Sequence, residues 1–147
     1  MMKRIVLAVA VVAFGVTAVV AQSDPIAARK ALMKGNNDNA NVLIKIARGE
    51  EPFDAAKVNA AFAQWAETAQ KLPNLFPDSS KTGKQTRATP KIWETRSDFE
   101  SKVAQFAKVV ADNRDRANNL AELKVALGAI GKACDGCHEH YRQSSRR

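Results

Sequence analysis

Residues 120–141 read LAELKVALGAIGKACDGCHEHY, and the spacing within them decides the fold. Leu120, Leu123, Leu127, Ile130, Cys134, Cys137 and Tyr141 recur at alternating intervals of three and four. That is the period of one continuous apolar face on an α-helix. The stripe carries both thiols toward the core. His138, four residues after Cys134, lies along the same side.

Inside this helix, Cys134-Asp135-Gly136-Cys137-His138 forms C-x-x-C-H, the attachment signature of a c-type haem. Two thiols at this spacing can each add across one vinyl group of a porphyrin. The adjacent imidazole reaches the iron from the same stretch of backbone. Other uses of the two cysteines fit less well. A Cys134–Cys137 disulfide is the plain alternative, permitted in an exported protein. A thioredoxin-type redox pair wants a strand before its helix, and none is visible. A zinc site would need the chain's only histidines, His138 and His140, to join both thiols, but residues two apart on a helix point to opposite sides. Gly128 and Gly131 lower helix propensity. Close approach of another helix or the porphyrin, and simple tolerance, are equal readings of them.

The N-terminus supports export. Lys3 and Arg4 precede an apolar run from Ile5 to Val20, broken only by Gly15 and Thr17, and Val19-Val20-Ala21 follows the pattern of a cleavage site before Gln22. This predicts a secretory signal peptide over 1–21. The rival is an uncleaved membrane anchor, disfavoured by a short run with no cationic stop. Because c-type haem is attached outside the bacterial cytoplasm, the expected location is the periplasm, with no stable membrane anchor. The remainder, 22–147, has 126 residues, enough for one domain with a real core. It keeps 21 basic and 15 acidic side chains, a formal +6, which suits docking to a redox partner with an acidic surface. The basic residues are spread along the chain without an aromatic–basic recognition motif, which argues against nucleic acid.

The region reads as four helices with no convincing strand. The first starts near Asp24-Pro25 and carries Ile26, Met33, Ala40, Leu43 and Ala47. Its middle, Gly35-Asn36-Asn37-Asp38-Asn39, forms helix poorly and is expected as a polar outer face of a continuous or slightly broken helix. Asp54 caps a second helix with the stripe Val58, Phe62, Trp65, Ala69 and Leu72. Residues 74–89 read as a solvated loop, without the paired glycines of a phosphate-binding loop. Thr89 as cap and Pro90 in the first turn open a third helix, buried through Phe99, Val103, Phe106 and Val110. Asn118-Asn119 opens the fourth. These lengths and links predict an all-α, antiparallel up-down four-helix bundle with covalently attached haem.

With those segments in order, the chain resembles the cytochrome c′ / cytochrome c-556 family, for which this architecture is established. The marks are 29–34, 49–54, 72–77 and 90–93, and the block from Gly131 through Arg142. The resemblance covers nearly all of 22–147 and implies one haem c on Cys134 and Cys137, with His138 as proximal iron ligand. In c-556 proteins a methionine of the first helix completes a six-coordinate, low-spin iron, and Met33 matches its position. In c′ proteins the distal side is apolar and closed, and the five-coordinate iron binds nitric oxide or carbon monoxide. Met33 therefore has two readings, distal ligand or flexible core filler. A Met/His pair favours ferrous iron and raises the potential. Arg29 has two readings, partner of a haem propionate or solvated helix cation. Arg142 matches a basic residue beside the proximal imidazole, or is a cation at a helix C-terminus. Homodimers are common in the fold.

The implied function is a periplasmic one-electron carrier, the c-556 branch. The alternatives are a gas-binding c′ protein and a haem-free helical protein with a disulfide. No nucleophile–base pair has recognisable spacing, so no enzyme is expected.

Overall fold

The computed structural model describes residues 24–83 and 85–144. The predicted signal peptide, 1–21, lies outside the described residues. Helix α1 spans Pro25–Ala47: Asp24 Oδ1 accepts from the Ile26 N–H at 3.0 Å, and Pro25 occupies the first turn. Helix α2, Ala55–Lys71, is capped by Asp54, which accepts from the Ala56 and Lys57 N–H groups. Two 3-10 turns follow, Leu72–Leu75 and Asp78–Ser80. A single helical turn, α3 (Lys91–Glu94), leads into α4 (Arg96–Arg114). Asn119 caps α5, Leu120–Tyr141, through the Ala121 and Glu122 N–H groups. Helix α1 packs on α2 and α5, and α4 packs on the same two, so the four long helices close a ring. This is the expected four-helix bundle. Among the described residues there is no strand, only an isolated antiparallel bridge between Ala88 and Arg142.

Three local expectations need correction. First, α1 is continuous, but Gly35 and Asn36 face α2 rather than solvent. Asn36 Oδ1 accepts from the hydroxyl of Thr68, which is fully buried, at 2.7 Å, and Asn36 O accepts from Trp65 Nε1. Polar partners on α2 compensate the weak helix formers. Second, the third helix breaks at Thr95 (φ −123°, ψ 52°). The break lets Trp93 Nε1 and Arg96 both donate to Phe76 O, while Arg96 also donates to Pro73 O. Thr89 does not cap it; its N–H and hydroxyl donate to Tyr141 O and His140 O at the end of α5. Third, the 74–89 connection is not simply solvated, since Ser80 is 1% exposed.

The core has two unequal parts. The larger fills one end with Leu43, Ile46, Phe62, Trp65, Phe106, Val110, Leu123 and Ile130. Phe62 and Trp65 meet edge to face, 5.1 Å between centroids. The smaller, at the other end, is an aromatic group of Phe76, Phe99 and Tyr141 with Leu72, Ile92 and Val103. A cavity opens beside it.

Candidate functional site

The cavity has a volume of about 520 Å³, within the range of cofactor sites. Its apolar floor is Leu72, Phe76, Ile92, Phe99 and Tyr141. Met33 lines it from α1, and Cys137 and His138 line it from the last turns of α5. Arg29 and Arg142 line it as well. Five of the six residues singled out from sequence thus share one cavity. Cys134 is half-buried one turn earlier on α5 and packs against the larger core instead.

The end of α5 is held in place by the loop beside it. Arg142 N–H closes the helix onto His138 O at 3.2 Å. Gln143 N–H donates to Arg87 O, and Arg87 Nη2 donates back to Gln143 O at 2.7 Å. With the Thr89 bonds, these satisfy terminal carbonyls of α5 and fix the backbone that carries His138. Tyr141 Oη donates to Asp98 Oδ2 on α4 and lies 3.1 Å from Thr95 Oγ1.

Electrostatics follow from burial. Burial pushes the Cys137 thiol up to about 11, with the Cys134 thiol adding to the shift and Lys102 opposing it. Burial, then Asp135, raises Cys134 too. Burial lowers His138, the charges of Arg142 and Arg87 lower it further, and Asp135 opposes them. The imidazole is therefore neutral at pH 7, the form that can donate a nitrogen lone pair to a metal.

Arg29 is 5% exposed, which overturns the solvated-cation reading. Nη1 donates to Leu75 O (3.0 Å) and Ser80 Oγ (2.9 Å), and Nη2 to Ser80 O (3.0 Å) and Thr86 Oγ1 (2.6 Å). All four Nη hydrogens are used by the loop, and the guanidinium lies 4.6 Å from the Phe76 ring centroid. Its charge, and an Nε–H with no hydrogen-bond partner among the described residues, remain for a bound acid. Burial lowers its pKa while Asp24 opposes the shift, and an arginine stays charged regardless. Sequence reasoning missed Ser80, Thr86 and Ala88, because loop residues carry no periodic signal.

The residues fit a haem. The apolar floor suits a porphyrin face, Cys137 and a neutral imidazole share one wall, and cations line the cavity. Zinc fits less well: among the described residues no group of three or more His, Cys, Asp or Glu is placed to hold a metal ion.

The chain is similar to cytochrome c-556 of Rhodopseudomonas palustris, 42% identical over 145 residues, covering 96% of this chain and 97% of the relative. Among solved structures it is similar to cytochrome c′ from Rhodopseudomonas palustris, with a TM-score of 0.80 and 35% identity over 85% of this chain and 100% of that one. Another solved cytochrome c′, described by its ligand-controlled dimer dissociation, has a TM-score of 0.73 and 25% identity over 82% of this chain and 95% of that one. The family model described as cytochrome C′ matches residues 24–142. The chain therefore belongs to the cytochrome c′ family and carries one covalently bound haem c.

Proposed function

We propose that the protein is a periplasmic one-electron carrier with low-spin iron, its haem c bonded through Cys134 and Cys137 and ligated by His138 and Met33. Export would remove residues 1–21 and leave 22–147 as the working domain. The observation that supports this reading is that Met33 on α1 and His138 on α5, two different helices, line the same cavity. When bound, the haem supplies a one-electron change at iron. The chain's own part is ligation, orientation and exclusion of water. The stapled end of α5 orients the imidazole, Leu72, Phe76, Ile92 and Phe99 exclude water, and Arg29 locks the loop over the cavity. The reading includes no catalytic step.

A second reading, a five-coordinate protein that binds nitric oxide or carbon monoxide, has one observation in its favour. Met33 packs as a partly buried member of the apolar cluster with Leu72, Phe76 and Phe99, as a side chain closing a distal wall would. Absorption spectra of the purified holoprotein separate the two. A low-spin spectrum unchanged by carbon monoxide supports Met33 ligation. A high-spin spectrum that shifts with the gas replaces it with the second reading.

A further inference from the structure

We propose that the mouth of this cavity is the docking face for an acidic electron-transfer protein, built by Lys30, Arg87 and Arg142 around the buried Arg29. The proposal rests on the electron-carrier reading and says where its partner binds.

Among the described residues, the cavity is lined by four cationic side chains, Arg29, Lys30, Arg87 and Arg142, and by no carboxylate. Lys30, Arg87 and Arg142 are exposed, and they come from α1, the loop and the end of α5. The outer helix faces are mixed in sign: several of their cations sit beside carboxylates one turn away, as in Lys34–Asp38, Lys71–Glu67, Arg96–Glu100 and Lys108–Asp112, while others such as Lys124 show no such pair among the described residues. Neither Lys30 nor Arg142 has such a partner among the described residues. The two propionates of a haem would offset part of the four positive charges at the cavity and leave the rim positive.

The rim is also held rigidly. The Ala88–Arg142 bridge and the reciprocal Arg87–Gln143 bonds fix two of its cations on paired backbone. Little backbone freedom is then lost when a partner docks. Positive charge focused at a cleft steers an anionic surface and raises the association rate. Here it does so where a partner comes nearest the redox centre.

The test is stopped-flow oxidation of the ferrous holoprotein by plastocyanin, a blue-copper protein with an acidic surface. The rate should fall at least tenfold as ionic strength rises from about 10 to about 200 mM, as exposed charges become screened. Lys30→Glu and Arg142→Glu should each slow the low-salt reaction about tenfold. Lys124→Glu makes the same change in net charge as Lys30→Glu, about 21 Å along α5 from His138, and should change the rate less than about twofold. Equal slowing by all three variants, or a rate indifferent to salt, would overturn the docking face. Lys30→Gln serves in the same comparison if charge reversal costs haem. Spectra taken alongside judge the electron-carrier reading separately. Outer-sphere oxidation is measurable for a high-spin protein too, so the charge-reversal rates decide the docking face in either case.

Discussion

At position 29, one guanidinium ties Leu75, Ser80 and Thr86 to α1 through four hydrogen bonds. Arg29→Ala takes the guanidinium donor from the buried Ser80 carbonyl and frees the loop, so it should cost about 2–4 kcal/mol in urea unfolding of the holoprotein. Arg29→Lys should recover only part of that, because an ammonium cannot reproduce the planar fork. Tyr141 is the chain's single tyrosine, so one ring-carbon NMR signal reports its titration. Burial and then the bond to Asp98 hold it above the usual phenol value. The folded chain therefore keeps a proton that the unfolded chain releases. This contribution to stability is full below about pH 10 and is lost as pH rises through the higher folded value. Asp98→Asn should move the titration down toward, but not fully to, the free value, since burial remains. At this scale the haem motif was legible because three uncommon residues stand in fixed order. The role of Arg29 was not, because its partners are loop atoms brought close only by folding.

At the scale of elements, the α1–α2 contact shows how a poor helical sequence is stabilised. A Cβ at Gly35 would lie 3.0 Å from Gln64 Cδ, the end of a flexible side chain. Gly35→Ala should thus gain most of its helix propensity and stabilise by about 0.5 kcal/mol once Gln64 swings aside. Asn36→Ala should do the opposite. It leaves the buried Thr68 hydroxyl without its acceptor and should cost about 1 kcal/mol, measured by the same unfolding curves. Helix α5 was legible end to end because its stripe never breaks. The stop at Thr95 was not, since it depends on Phe76 O and Pro73 O, carbonyls from a distant turn. In the polar middle of α1, Asn37 and Asp38 face solvent as expected, whereas Gly35 and Asn36 face α2, because a pattern of polar residues does not distinguish solvent from a polar partner helix.

Across the whole molecule, the larger core and the cavity occupy opposite ends of one bundle, so the two ends should respond differently to loss of haem. In a Cys134→Ala/Cys137→Ala variant, hydrogen exchange should quicken in the 75–89 loop, the start of α1 and the last turns of α5. The amides around Phe62, Trp65 and Leu123 should stay protected. Uniform loss of protection would show that haem holds the entire fold. The bundle was legible from helical period and link length, whereas the division into a filled end and an open end required the packed structure. Proton NMR of the ferrous holoprotein decides whether His138 and Met33 hold the iron between them. Met33 is the only methionine outside the predicted signal peptide. Ligation predicts one methionine methyl resonance shifted strongly upfield by the porphyrin ring current, lost in Met33→Leu. A ferrous spectrum without that resonance, unchanged by Met33→Leu, would mean that Met33 does not bind the iron.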